Sequence, residues 1–287
     1  MRTRFRRLAG AAVCVVAIAS PSTGSAAERI VSIGGSITEI LFALGAGDRV
    51  IAVDTTSLYP DAAPKLPQVG YLRSLAAEPI IALRPTLIVA DGDAGPPAVI
   101  KQIREAGIRL EVTPKDPSLA NVYEKIRIVA ALVGQEAKGQ AMTGAIQRDL
   151  RALAKAVAAV PERPRVLFLL SVGRGSPLAG GNDTHADTII SLAGAVNAAA
   201  GFTGYKPVPP EGVVAARPDV ILVVDRTVAA LGGEAAILAR SEIAATPAGR
   251  AKRIVAMDGL LLLGFGPRTA TAAQELAKRL HPGLRID

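Results

Sequence analysis

Glu78-Pro79-Ile80-Ile81-Ala82-Leu83-Arg84-Pro85 and Glu211-Gly212-Val213-Val214-Ala215-Ala216-Arg217-Pro218 carry Glu, Ala, Arg and Pro at identical offsets. An apolar run follows each, residues 87–90 closed by Asp91 and residues 220–224 closed by Asp225. Each unit predicts a short helix, a proline stop and a buried strand. A unit this long that occurs twice predicts two related lobes rather than a solenoid. Outward from the units, short apolar runs alternate with amphipathic ones: residues 30–33 and 50–53 before the first, residues 166–170 and 254–257 around the second. That alternation predicts an α/β protein whose central parallel sheets carry helices on both faces.

The expected organisation is a first lobe over residues 28–134, a linking helix over residues 135–160 and a second lobe over residues 161–287. Both lobes are Rossmann-like, with the ligand cleft between them. Residues 121–160 are rich in Ala, Leu, Gln, Lys and Arg and read as helical almost throughout, with weak points at Gly134, Gly139 and Gly144. As one helix, residues 135–160 would extend close to ~40 Å. A helical linker restrains hinge motion, so the lobes are expected to rock by small amounts rather than open widely. Ser36 with Glu39 predicts a capping box at a helix start. Residues 186–192 and 269–280 read as helices, and residues 258–267 as a loop. Gly34-Gly35 lacks both G-x-G-x-x-G and a G-K-[ST] ending, which argues against a nucleotide site.

Residues 1–27 read as an export leader rather than as part of the fold. Arg2, Arg4, Arg6 and Arg7 precede the apolar residues 8–20, and Ser25-Ala26-Ala27 is a small-residue cleavage pattern. The apolar run is too short to span a bilayer. The only cysteine, Cys14, lies within it, with Val13 where lipid attachment wants a small residue, so cleavage is the expectation and the mature chain is cysteine-free. The full chain has 33 basic and 25 acidic residues; without the four leader arginines the balance falls from +8 to about +4. No basic run with interleaved aromatics appears, so nucleic acid is not an expected partner.

The chemistry concentrates in Pro67-Gln68-Val69-Gly70-Tyr71-Leu72-Arg73. A glycine lets the backbone turn, and an aromatic hydroxyl and a guanidinium two residues apart can project the same way. A phenol is a poor ligand while protonated, and a neighbouring guanidinium favours the phenolate by charge and hydrogen bond. Such a pair suits a ferric centre that carries carboxylates; the bland alternative is a loop tyrosine beside a surface arginine. Beyond the strand ends of the second lobe, the same reading places Arg174, Asp225-Arg226 and Phe265-Gly266-Pro267-Arg268 at the opposite rim of the cleft. His185 reads first as a solvated histidine at a helix start, and His281 as structural. Asp91, Asp93 and Asp225 read as strand-ending residues that bind backbone amides.

These residues resemble a known family. The mature chain looks like a haem-binding periplasmic protein of an ABC importer, within the class that also carries cobalamin and ferric siderophores. The class resemblance rests on the Glu78 and Glu211 units and the linking helix. The resemblance to haem carriers rests on Val69-Gly70-Tyr71-Leu72-Arg73-Ser74-Leu75, Ser171-Val172-Gly173-Arg174-Gly175 and Leu263-Gly264-Phe265-Gly266-Pro267-Arg268-Thr269. It implies Tyr71 as the axial ligand of ferric haem and Arg73 as the basic residue beside that ligand; by the chemistry of the cargo, Arg73 and Arg226, and after them Arg174 and Arg268, are the expected contacts for haem or its propionates. It also implies Glu78 and Glu211 as docking points for arginines of a permease dimer driven by its ATPase. Some relatives stack two haems and hold the second iron by a second-lobe histidine, a role His185 would take. Haem is then cargo rather than catalytic cofactor, the location is periplasmic, and no stable homo-oligomer is expected.

Rivals fit less well. A binder of bare divalent metal needs several converging histidines and carboxylates, and the chain has two histidines. A ferric siderophore or cobalamin carrier of the same architecture is the serious alternative. An enzyme is not expected: there is no G-x-S-x-G elbow, no nucleophilic cysteine outside the leader and no H-E-x-x-H.

Overall fold

The computed structural model describes residues 28–173 and 175–286. The leader and Arg174 lie outside the described residues. The first sheet is built from β1 (Ile30–Ile33), β2 (Val50–Val53), β3 (Leu87–Ala90) and β4 (Leu110–Val112) in the order β2-β1-β3-β4. Every pairing in it is parallel, with β1 and β3 in register from Ile30↔Leu87 to Ile33↔Ala90. Strands buried on both faces need no alternation, which is why these read as unbroken apolar runs.

The second lobe contains β5 (Arg165–Ser171), β6 (Leu178–Gly180), β7 (Val196–Asn197), β8 (Tyr205–Pro207), β9 (Val220–Val224) and β10 (Ile254–Met257). Their order is β10-β9-β5-β6-β8, with β7 beside β5. The β10-β9-β5 core is parallel, but β6 runs antiparallel to both β5 and β8. The centre of this sheet is parallel as expected, and β6 and β8 add a mixed side to it. Only residues 172–177 separate β5 from β6, too few for a helical crossover, so the chain turns straight back along β5.

The two repeat units match in detail. Helices Ala77–Ala82 and Pro210–Ala216 end at Arg84 and Arg217, which have φ of 47° and 46°. Arg29 Nη2 donates to Leu83 O at 2.8 Å, and Arg165 Nη2 to Ala216 O at 2.9 Å, so each lobe caps its helix with an arginine at the start of its first strand. Thr86 Oγ1 and Asp219 Oδ2 accept from the backbone N–H of those arginines at 2.8 Å each.

Two helices lie between the lobes, Leu119–Leu132 and Glu136–Ala158. The chain breaks at Gly134, which takes φ 68° to end the first. The second is 23 residues long, about 34 Å. It packs on Leu119–Leu132 on one side and on the last helix, Thr269–Leu280, on the other. One buried apolar cluster runs from Ile30 and Leu87 through Ile126, Leu150 and Leu153 to Phe168, Leu222 and Leu276, so the inner faces of both sheets share a core. The outer faces bury separate clusters.

Two local expectations are corrected. Residues 258–267 contain a helix, Gly259–Leu263, capped by Asp258 Oδ1 accepting from Leu261 N at 2.7 Å. Ser36 and Glu39 form no capping box, because tertiary partners take both side chains. Ser36 Oγ donates to Asp91, and Glu39 pairs with Arg268. Gly34 and Gly35 serve close approach. A Cβ on Gly34 would lie 2.6 Å from Asp91 Cβ, and one on Gly35 would lie 2.5 Å from Leu260 Cδ1 of the second lobe.

Gly34 also holds φ 107°. Gly34→Ala is expected to cost about 2–3 kcal/mol in urea denaturation, since strain and a backbone-side clash combine. Gly45→Ala is the control: φ is 79° there, but the nearest atom is the flexible Lys138 Nζ at 3.3 Å, and only about 1 kcal/mol should be lost.

Candidate functional site: a charged wall facing the second lobe

Residues 67–70 run beside the end of β2. Val53 N donates to Pro67 O, Val69 N to Val53 O and Thr55 N to Gly70 O, each at 2.9 Å. The loop so becomes an extra edge of the first sheet, and Gly70 turns it outward with φ 97°. Tyr71 follows with 43% of its surface exposed. Its hydroxyl accepts from Arg73 Nη1 at 2.7 Å, and the guanidinium lies 5.9 Å from the ring centroid.

A second turn, residues 91–95, stands against this loop. Leu75 N donates to Gly95 O at 2.9 Å and Gly95 N to Leu72 O at 2.8 Å. Arg73 Nη2 binds Asp93, whose other oxygen lies 2.6 Å from Lys115 Nζ. Burial works against charge on both groups. The bonds to Tyr71 and Asp93 nevertheless hold the Arg73 pKa above its ordinary value, and Lys115 and Arg73 hold the Asp93 carboxyl below the usual carboxylate range.

Behind the turn sits Lys125, with 2% of its side chain exposed. Its ammonium reaches Ser36 Oγ at 3.2 Å and Asp91 Oδ2 at 3.4 Å, and Ser36 Oγ donates to the same carboxylate oxygen at 3.1 Å. Asp91 Oδ1 accepts from Asp93 N at 3.1 Å. Asp91 follows the end of β3 and binds a backbone amide as expected, with Lys125 as a further partner. The Asp93 carboxylate instead binds the cations Arg73 and Lys115, which corrects its reading as a strand-ending amide binder.

The second lobe meets this wall with helix His185–Leu192, whose Thr188 Oγ1 donates to Pro117 O at 2.7 Å. His185 is not a solvated helix-start residue. Its ring packs on Phe265 with centroids 4.5 Å apart. Burial first, then Lys125 and Arg73, lower its pKa to about 4, against the opposing pull of Asp91 and Asp93. Tyr205 is also within electrostatic reach of Arg73 and Asp93, and burial pushes its phenol up.

The other expected residues are placed differently. Arg268 donates to both oxygens of Glu39, at 2.9 and 2.5 Å, and lies 3.8 Å over the Tyr59 ring. Burial pushes the Glu39 carboxyl up despite Arg268, and Glu39 holds Arg268 above its usual value. Arg226 is exposed in the first turn of helix Asp225–Leu231, and no hydrogen bond or ion pair among the described residues joins it to Tyr71 or Arg73. Glu78 and Glu211 are exposed in the first turns of the two repeat-unit helices. His281 is buried, with Nε2 3.0 Å from Ala193 O.

Lys115 and Lys125 escape the sequence reading, and Asp93 enters it only as a binder of backbone amides. Lys125 left a signal: it interrupts the apolar stripe Val122, Ile126, Val129 on one helix face. Asp91-Gly92-Asp93 left another, two carboxylates just past a strand's carboxyl end. Among the described residues no three His, Cys, Asp or Glu side chains come together to hold a bare metal ion. A phenol oxygen with its face open and an arginine on its flank is suited to one axial bond on a chelated metal.

A family model described as periplasmic binding protein matches residues 30–260. The periplasmic haem-binding protein BhuT, solved with two haems, superposes with a TM-score of 0.84 at 44% identity, covering 88% of this chain and 97% of that one. Apo RhuT, a periplasmic haem-binding protein from Roseiflexus sp. RS-1, gives 0.85 at 42% identity, covering 88% and 98%. The uncharacterized ABC transporter substrate-binding lipoprotein YvrC of Bacillus subtilis (strain 168) is 28% identical over 258 residues, 89% of this chain and 80% of its own.

The low pKa of His185 has a stability consequence. Between about pH 6.5 and 4 the unfolded imidazole takes up a proton that the folded one refuses, so stability falls as pH falls through that window. The loss approaches about 3 kcal/mol by the lower end. His185→Gln should remove it, seen as a flatter dependence of urea midpoint on pH than in the parent protein.

Proposed function

We propose that this chain, which belongs to the periplasmic binding protein family, captures ferric haem between its two lobes and delivers it to an ABC importer. The observation that carries the reading is Tyr71, an exposed phenol whose oxygen accepts a 2.7 Å bond from Arg73. The side chain keeps an open side, and a tyrosine oxygen is a ligand for the ferric ion of a porphyrin. Two similar solved proteins bear the name haem-binding, and this supports haem over a siderophore or cobalamin as cargo. The low aromatic content of the chain leaves Leu, Val, Met and Pro side chains to contact the flat porphyrin.

In this reading Tyr71 is the axial ligand and Arg73 its hydrogen-bond partner. Arg226, exposed at a helix start, takes a propionate together with Arg174; Arg268 joins only by giving up Glu39. His185 is held neutral by burial, the form in which imidazole binds metal, and in this reading it is the ligand for a second iron where two haems stack. The chain transports and carries out no chemistry on its cargo. Residues 1–27 direct export and are removed, and the mature protein works on the periplasmic side as a monomer. Glu78 and Glu211 meet arginines of a two-subunit permease and thereby signal its ATPase, because matched lobes suit a partner with two matched faces.

Titration of the apoprotein with hemin tests the cargo. A stoichiometric Soret band and a high-spin ferric spectrum are expected. Tyr71→Ala should abolish that spectrum and weaken binding about tenfold or more; an unchanged spectrum removes Tyr71 as ligand. For docking, the pair Glu78→Ala with Glu211→Ala should leave the hemin titration as it was and abolish stimulation of transporter ATPase in vesicles. Surviving stimulation would make the two glutamates ordinary surface charges.

A further inference from the structure

We propose that Asp93 is a positioning residue for Tyr71: it locks the Arg73 guanidinium so that one nitrogen stays aimed at the phenol oxygen. In doing so it sets how strongly Tyr71 can bind the iron of a ferric haem. The second half of the proposal rests on the haem reading above; the first half does not.

The geometry is a relay of fixed parts. Arg73 stands on an exposed loop, with 53% of its side chain in solvent, and its partner in its own sequence neighbourhood, Tyr71, is itself 43% exposed. Asp93, by contrast, is only 14% exposed and sits on a braced turn. Asp91 N donates to Ile33 O at 2.8 Å, which anchors the turn to β1, and Asp91 Oδ1 accepts from Asp93 N. Gly92 is packed so closely that a Cβ there would lie 2.7 Å from Thr113 O and 2.8 Å from Lys115 N. Lys115 Nζ, 2.6 Å from Asp93 Oδ1, fixes the carboxylate from the far side.

The guanidinium is a rigid planar fork, so holding Nη2 at Asp93 determines where Nη1 points. It points at Tyr71 Oη, 2.7 Å away. The two loops cannot slide past each other, because the reciprocal backbone bonds between Leu72, Gly95 and Leu75 hold them in register. Asp93 therefore keeps Arg73 committed to the phenol and away from the carboxylates of a cargo, which are left to cations elsewhere in the cleft. A donor on a phenolate oxygen draws electron density from it and softens its bond to a metal. Without Asp93 the arginine would swing into solvent or onto a propionate, and Tyr71 would grip iron harder.

The test compares Arg73→Ala, Asp93→Ala, Asp93→Asn and the double variant Arg73→Ala/Asp93→Ala, each loaded with hemin and read by resonance Raman at the Fe–O(phenolate) stretch. Asp93→Ala is expected to raise that frequency as much as Arg73→Ala does, and the double variant to go no further. Asp93→Asn keeps an acceptor for Nη2 and should fall between Asp93→Ala and the parent. A parent-like frequency in Asp93→Ala beside a shifted Arg73→Ala overturns the proposal, as does an additive double variant. A second arm uses the apoprotein and nitrogen-15 NMR of the Arg73 guanidinium. The parent should show separate Nη1 and Nη2 signals, and Asp93→Ala a single averaged one; separate signals in both overturn the positioning role. If the parent takes up no hemin, the haem reading falls, and the NMR arm still decides what Asp93 does.

Discussion

A carboxylate from the first helix and a guanidinium from the start of the last one meet in a two-pronged ion pair, Glu39 with Arg268, and the placement of the lobes depends on it. The partners are 229 positions apart in the chain. An ion pair this deep adds little net stability, because both groups give up water to form it. What it supplies is orientation, since breaking it would leave a buried carboxylate with no counter-charge. Around it the lobes touch where bulk has been removed, Gly35 beneath Leu260 and Gly266 against Ser36. The shared apolar core then extends through the long helix into both sheets. The cleft is consequently the space left between two bodies whose hinge side is packed solid.

The site follows from that arrangement. Its first wall is two turns laced together by backbone bonds, with Tyr71 on one and Asp93 on the other. Its charges alternate inward from the surface: Lys115, Asp93 and Arg73 at the front, Asp91 and Lys125 behind. The second lobe answers with an apolar ring, Phe265, and a histidine kept uncharged by burial first and by the cations Lys125 and Arg73 after it. Such a cleft offers one hard oxygen to a metal and surrounds it with paired, already oriented charge. Pre-oriented charge needs little rearrangement when a ligand arrives.

The sequence disclosed what depends on local pattern. Residues 30–33, 87–90 and 254–257 are short apolar runs between turn residues, and the structure makes each a strand. The repeat of Glu, Ala, Arg and Pro disclosed the duplication, down to two arginines in the same left-handed conformation. What stayed hidden depends on distant partners. β6 and β8 are three residues each, too short to show a pattern, and are strands because β6 pairs with both β5 and β8. Ser36 and Glu39 matched a local capping pattern, and partners 55 and 229 positions away outcompeted it. Tyr71 and Arg73 could be paired from their spacing. Asp93 could not, because the loop contact that brings it over is made by backbone atoms that carry no residue identity. The environment of His185 was illegible for the same reason: every charge that shapes it lies on the other lobe.

The 23-residue helix on the hinge side has a consequence for how a loaded carrier is recognised. A strut packed along both flanks resists bending, which favours a nearly fixed distance between the tips of the molecule. On the docking proposed above, a membrane complex that gauged only the separation of Glu78 and Glu211 would receive nearly the same answer from full and empty carriers. Discrimination would have to come from a feature that cargo itself alters at the rim, such as the tilt of a propionate-bearing edge or the ordering of the Tyr71 loop. Empty carriers would then compete with full ones for the same berth, and the yield of import would depend on how many carriers are made as well as on how much cargo they find.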